Sequence, residues 1–387
     1  MRLYIAGGCS EHGRNSFLLT GEKVRILVDA GRMKEKPDEP FPLLDEETIA
    51  GIDYLFLTHS HTDHTGAISF LAERGFHGRI VASRATLEHI GPLPVASYAL
   101  EDIGEVMKEL HPDPRFSVLY GRAGHCIGSV WYEFRLDGRA VLFTGDYEEQ
   151  SLAYRCDAIR ERAADVAVID CAYGTEREDA AEHFEALRKL LDSLVEKGAP
   201  MLFPVPSHGR GFDLVRLLAE RGVTVVLAAS LVEEFRNSLD RAFWLREEFQ
   251  DAVMNLKNRD IGHFEEAYRA ALALGLSFPD EYRHDAILVR DSQLVKNENR
   301  QIALGVASVG GCTILTGKQD PASYARALLN CGDAVFCRIS VHQNIKEMLR
   351  LKERNHFRIT VPYHCREPLA FDEPDIRVLA PGDALHF

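Results

Sequence analysis

The apolar run YLFLT (54–58) ends directly in HSHTDH (59–64), which places three histidines and one aspartate within six positions. The run reads as a buried strand, and the turn-forming cluster begins where it stops. Packing needs no imidazole there. The cluster therefore constrains the fold, because any architecture the chain adopts must carry further ligands from distant segments to this strand end. His59 and His61 are two positions apart, so extended backbone can turn both rings to one side. Asp63 and His64 follow as the chain turns into a helix and would face a second position nearby. Imidazole nitrogen and carboxylate oxygen suit zinc or manganese better than calcium or magnesium.

The same grammar recurs along the chain. Asp29 in ILVDAG, His125 in AGHCIGS and Asp146 in LFTGDY each stand where an apolar strand gives way to glycine. A polar side chain has little packing reason to sit at such a boundary, so the recurrence reads as one distributed metal site.

Short β-branched runs, Leu3–Ala6, Ser16–Thr20, Val24–Asp29 and Ile52–Thr58, fill the first part of the chain. A helix is expected over 66–74, a strand over 79–82 and a second helix over 85–90. Trp131–Leu136 and Ala140–Thr144 flank Asp137-Gly138, a hairpin signal, and Ala164–Asp170 reads as another buried strand. From His183 the texture becomes strand alternating with helix: His183–Lys197, Met201–Val205, Phe212–Arg221 and Val223–Ala228, which implies a parallel sheet. Residues 231–300 are charged and helical in character. Short strands return at Ala334–Ser340, Arg358–Pro362 and Ile376–Leu379, with a helix at Ile345–Glu353. The layout is one α/β domain at both ends of the chain, interrupted by a second: 1–175 and 335–387 around an insert at 176–334.

Composition narrows the function classes. The net charge is −14 and there is no polybasic run, which argues against a broad basic face for duplex nucleic acid. A local positive site is still allowed, because bound divalent cations dominate the field around them. No stretch approaches the roughly 20 apolar residues of a membrane span. The N-terminus does not read as a signal peptide, and the eight cysteines form no CxxC pair. A soluble, cytoplasmic protein with reduced thiols and no membrane partner is expected.

In order and spacing, Asp29, the HxHxDH of 59–64, His125 and Asp146 resemble the signature of the metallo-β-lactamase superfamily. The resemblance implies an αββα sandwich with two divalent ions at one edge of its sheets, Zn²⁺ first and Mn²⁺ second. His59, His61 and His125 would hold one ion, Asp63 and His64 the other, with Asp146 between them and Asp29 orienting the ligands. GGCSEHGRNSFLL resembles the opening strand and turn of that superfamily's nucleases. The far ligand of the second ion comes only at His342 or His364, about two hundred residues beyond Asp146. That interval resembles the β-CASP branch, in which a second α/β domain on a mainly parallel sheet interrupts the lactamase fold. VAVIDCAYGTE (166–176), FCRISVHQN (336–344) and TVPYHCREP (360–368) resemble its three motifs, matching Asp170, His342 and His364. The third motif departs from the usual His-Gly-Glu, reading His364-Cys365-Arg366-Glu367.

A histidine at the third motif accompanies RNA-acting members, so the resemblance implies a two-metal hydrolase of single-stranded RNA. A hydroxide shared by the two ions would attack the phosphodiester while Asp63 accepts a proton. His342, oriented by Asp170, would protonate the leaving oxygen. Ser207, His208 and Arg210, in the strand–turn–helix FPVPSHGRGFDLV, are candidate phosphate contacts. Two other readings stay open: a metallohydrolase of a small ester, thioester or phosphodiester, and a non-catalytic scaffold subunit. A di-iron oxygen reductase is disfavoured, because glutamate would be expected at His61. A homodimer is compatible with the sequence.

Overall fold

A computed structural model describes residues 1–206, 209–367 and 369–387 of the protein. The chain divides into two compact units: Met1–Glu149 with Arg155–Asp179 and His342–Phe387, and Gln150–Tyr154 with Ala180–Val341.

The first unit carries two sheets. One has seven strands in the spatial order Ala384–His386, Arg2–Gly7, Ser16–Thr20, Arg25–Val28, Tyr54–Phe56, Arg79–Ala82, Ser97–Ala99. The other has six: His356–Tyr363, Ala163–Asp170, Arg139–Phe143, Val130–Leu136, Phe116–Arg122, Glu109–Asp113. Period-two alternation gives each sheet an inner and an outer face. The inner faces meet through aromatic edges: Phe56 stands 4.9 Å from Phe134 and 5.5 Å from Tyr132. Phe17 lies 5.2 Å from Tyr363 and 5.9 Å from Phe143. Each such pair adds about 0.5–1.5 kcal/mol to its area term. One step along each strand the side chains face outward. Leu18, Leu27 and Leu55 pack on Ile49, Ile68 and Leu71 of the covering helices. Trp131, Leu142 and Ile169 pack on Met348 and Leu351 of helix Ile345–Glu353. The order helix, sheet, sheet, helix is the αββα sandwich the resemblance implies.

Asp137 and Gly138 both have positive φ (51° and 71°), as a type I′ hairpin turn requires. Two expectations at the C-terminus are corrected. Ile376–Leu379 is not a strand; only Ile376 makes an isolated bridge, to Thr360. The closing strand is Ala384–His386, paired antiparallel with Arg2–Tyr4. A three-residue edge strand draws its stability from that partner rather than from a local pattern, so sequence periodicity does not reveal it.

The second unit is built on a six-stranded sheet in the order Asn258–Asp260, Val225–Leu227, Ala286–Val289, Met201–Pro204, Cys312–Leu315, Ala334–Phe336. Every pairing within it is parallel. Its central strand Ala286–Val289, wholly buried, lies inside the stretch that read as helical. Expected strand character stops at Phe336, and Cys337–Val341 continues without regular structure.

Residues 150–154, a loop by sequence, belong to this second unit through a buried carboxylate. Asp213 in the first turn of helix Gly211–Glu220 accepts from Ser151 Oγ (2.9 Å) and the backbone N–H groups of Leu152 (2.6 Å) and Ala153 (3.1 Å). Asp213→Ala removes the acceptor of all three donors and leaves Ala153 N–H only its longer contact to Ser151 Oγ (3.3 Å). We expect it to destabilise the second unit by about 3 kcal/mol, read as a lower denaturant midpoint, with Asp213→Asn recovering part of the loss.

Candidate metal centre

Strand direction gathers the site. Arg139–Phe143, Ala163–Asp170 and His356–Tyr363 run parallel, with Phe143 opposite Val168 and Asp170 opposite Tyr363. That register delivers Asp146, Asp170 and His364 to one end of the second sheet. In the facing sheet Arg25–Val28 and Tyr54–Phe56 are also parallel, and deliver Asp29 and the 59–64 cluster. Carboxyl ends of parallel strands are where α/β folds place their chemistry. His342 arrives differently, two residues before Asn344, the N-cap of helix Ile345–Glu353. A capping box there, Glu347 N–H to Asn344 Oδ1 and Asn344 N–H to Glu347 Oε2 (both 3.0 Å), fixes the start of that helix.

Asp146 lies at the centre, and its two oxygens face different groups. Oδ2 is 3.4 Å from His59 Nε2, 3.5 Å from His125 Nε2 and 3.7 Å from His342 Nδ1. Oδ1 is 3.2 Å from His64 Nε2 and 3.1 Å from His364 Nδ1. His61 Nδ1 meets His125 Nε2 at 3.2 Å, and Asp63 Oδ2 meets His364 Nε2 at 3.2 Å. His59, His61, His125 and Asp146 form one set whose donor atoms all lie within 4.8 Å of each other, and Asp63, His64 and His364 form another. Asp146, Asp170, His342 and His364 form a third set by the same measure.

These donors fit divalent cations. Buried His59 Nε2 has no hydrogen-bond partner, and the two nitrogens of His364 lie close to carboxylates but out of hydrogen-bond alignment. An ion with bonds of about 2.0–2.1 Å to nitrogen sets tetrahedral ligand atoms roughly 3.3 Å apart. The 3.2–3.5 Å separations among His61, His125, His59 and Asp146 match that edge length.

The charges of the cluster hold one another. Burial works to raise the Asp146 carboxyl, but the imidazoles of His64, His364, His342 and His59 hold it well below the usual carboxylate range. Burial opposes charge on His64 too, yet Asp146 and Asp29 keep it well above its ordinary value. His364 is pushed up to about 10 against its burial, by Asp146 and Asp63. His59 goes the other way, lowered by burial and then by neighbouring His64. A ligating imidazole must be neutral, so cation binding here releases protons and weakens as pH falls.

Hydrogen bonds behind the cluster aim it. Asp29 Oδ2 takes His64 Nδ1–H at 2.8 Å and Thr58 Oγ1–H at 2.9 Å, while Oδ1 takes Thr58 N–H at 2.7 Å. This leaves His64 Nε2 toward Asp146. Asp29 and His364 hold positive φ (61° and 69°), an uncommon conformation for residues with a side chain, and backbone bonds pin both: Asp29 N–H to Phe56 O and His364 N–H to Gly8 O. His342 Nδ1 lies 3.0 Å from Asp170 Oδ2.

Three neighbours of the cluster are not evident from the sequence. The Asn15 amide meets His64 Nε2 at 2.8 Å. Tyr363 Oη donates to Asp146 Oδ1 at 3.2 Å. The His12 ring stacks on His364 at 4.6 Å. Asn15 and His12 lie in the opening stretch GGCSEHGRNSFLL, so a signal is present there without an assignment to either residue. Of the candidate phosphate contacts, Arg210 lies in the second unit, where its Nε donates to Ile339 O (3.1 Å). Ser207 and His208 lie outside the described residues.

Residues 10–204 match the metallo-beta-lactamase superfamily, half of the chain. The chain belongs to the metallo-beta-lactamase superfamily. Among curated relatives of this superfamily member, it is 25% identical over 251 residues to an endoribonuclease, YSH1, of Kluyveromyces lactis, covering 57% of this chain and 33% of that one. It is 26% identical over 277 residues to the transcription termination factor FttA of Methanothermobacter thermautotrophicus, covering 63% of this chain and 42% of that one. It is 26% identical over 247 residues to the ribonuclease TTHA0252 of Thermus thermophilus, covering 57% and 56%. The chain thus spans between a third and a little over half of these relatives' lengths. The relatives bear out the resemblance to the β-CASP branch. A crystal structure of a protein of unknown function from Enterococcus faecalis V583 shares the fold, with a TM-score of 0.56 and 12% identity over 99% of both chains.

Proposed function

We propose that the protein is a metal-dependent ribonuclease of β-CASP type that cleaves phosphodiester bonds of single-stranded RNA. The observation that carries this reading is Asp146, whose two oxygens face two separate donor groups. The relatives' names supply the substrate class, as two are called ribonucleases or endoribonucleases.

His59, His61 and His125 would hold one ion, and Asp63, His64 and His364 the other, with Asp146 shared. The donor set favours Zn²⁺, with Mn²⁺ second. When bound, two such cations polarise a phosphodiester and make water nucleophilic near neutral pH. Asp29 keeps His64 in the tautomer whose Nε2 faces the cluster. Asp63, half-buried at the rim, would take a proton from the attacking water. His342 turns Nδ1 to Asp170, so Nε2 is the end from which it would protonate the leaving oxygen. Arg210, with Ser207 and His208, would meet backbone phosphate. No helix among the described residues is long and apolar enough to cross a membrane. The cysteines, all free thiols, favour a reducing compartment and so a cytoplasmic enzyme.

The test is incubation of metal-loaded protein with end-labelled single-stranded RNA carrying 5′-monophosphate or triphosphate. Cleavage by wild type and none by Asp146→Asn is the expected result. Intact RNA alongside rapid hydrolysis of a small ester, thioester or phosphodiester would overturn the ribonuclease reading in favour of a small-molecule hydrolase. That rival draws its support from the net charge of −14.

A further inference from the structure

A cavity of about 350 Å³ opens beside the metal cluster, within the first unit. Asp63 and His61 line it and belong to the two donor groups, so the cavity is continuous with the site. Its other charged and aromatic walls are His12, Arg32, Lys34 and Glu35. The volume is at the lower end of the roughly 300–1,000 Å³ of small-molecule pockets, on the scale of one nucleotide.

Two cations, Arg32 and Lys34, stand on this wall. In a protein of net charge −14, neither Arg32 nor Lys34 makes an ion pair among the described residues. Lys36, two positions on, lies 3.9 Å from Glu11. The Arg32 guanidinium instead lies over the Phe41 ring, with Cζ 5.8 Å from its centroid, a contact with the ring face that leaves the in-plane N–H donors for an acceptor.

The wall is also tied to the ligands. Arg32 N–H donates to Thr62 O (3.0 Å), Ala30 N–H to His64 O (2.7 Å) and Asn15 N–H to Asp63 O (2.9 Å). Gly31 makes this lacing feasible, since a Cβ there would sit 1.7 Å from Asp63 O. His12, stacked on His364 through one face, is otherwise exposed. The loop that carries the free cations is therefore registered to the same turn that carries the ligands.

We infer that this cavity is a subsite for the nucleotide next to the scissile bond, in which Arg32 and Lys34 take the flanking phosphate and His12 borders the base. The inference rests on the ribonuclease reading and adds a phosphate position to it. A substrate with a single phosphodiester cannot use the subsite, whereas an RNA chain always can.

The experiment compares wild type, the double variant Arg32→Gln/Lys34→Gln and the control Arg74→Gln on a short single-stranded RNA and on bis(p-nitrophenyl) phosphate. Arg74 is an exposed residue facing Glu46 on the helical layer. The double variant is expected to raise KM for RNA about tenfold. It should also flatten the dependence of log(1/KM) on log salt by roughly 0.7 for each phosphate it no longer neutralises. Its change on the small diester should be several-fold smaller, and Arg74→Gln should move neither. RNA with one neutral methylphosphonate next to the cleaved bond should reproduce the defect in wild type and add little to it in the double variant. Equal losses on both substrates, or an unchanged salt slope with RNA, would overturn the subsite. Failure of wild type to cleave RNA at all, with the small diester hydrolysed, would instead overturn the ribonuclease reading.

Discussion

Asp146→Asn is expected to reduce bound divalent metal from two ions per chain to at most one and to abolish measurable RNA cleavage. The substitution preserves shape but replaces an acceptor-only carboxylate by one carbonyl oxygen and one N–H₂ group. Whichever way the amide turns, one donor group meets an N–H₂ where it had an oxygen. On one side stand His59 and His125 at 3.4–3.5 Å, on the other His64 and His364 at 3.1–3.2 Å. The charge removed is also the one that keeps His64 and His364 above their ordinary range. The loss should exceed the roughly 10–100-fold typical of removing a hydrogen-bond partner behind a ligand, because here the residue proposed as the shared ligand is itself removed. Elemental analysis and gel-based cleavage assays measure the two halves. Retention of two ions with activity within tenfold of wild type would refute the central role of Asp146.

His342→Ala should lower kcat by about 10²–10⁴ while metal content stays at the wild-type level. The pairing of His342 Nδ1 with Asp170 at 3.0 Å is the geometry of an oriented proton donor. The same geometry holds a rival, because His342 also falls in the donor set with Asp146, Asp170 and His364. Two readouts separate them. If His342 is a ligand, its removal lowers metal occupancy. If it is the acid, occupancy is unchanged and the defect shrinks on a substrate whose leaving group is p-nitrophenolate, which departs without a proton. Loss of metal together with an equal defect on both leaving groups would sink the proton-donor assignment.

Much of this centre is legible in the sequence because its strongest signals are local. HSHTDH is contiguous, and Asp29, His125 and Asp146 sit at strand-to-glycine boundaries that periodicity exposes. The hairpin at Asp137-Gly138 is legible for a similar reason, since left-handed turn positions select their residues. The central strand Ala286–Val289 is not, because four buried residues between charged segments carry no period of their own. Nor is the attachment of 150–154 to the second unit, which depends on the Asp213 carboxylate some sixty residues away.

Local sequence carries the residue types available for metal chemistry and, through strand periodicity, their position at strand ends. Which oxygen of Asp146 faces which imidazoles is set by the packing of the two sheets. The same packing brings Tyr363 and Asn15 against the cluster and stacks His12 on His364. The difference is one of range. A strand or turn is dictated by neighbours a few residues apart, whereas a site is fixed by register between strands and by packing between sheets, which bring together atoms separated by hundreds of residues.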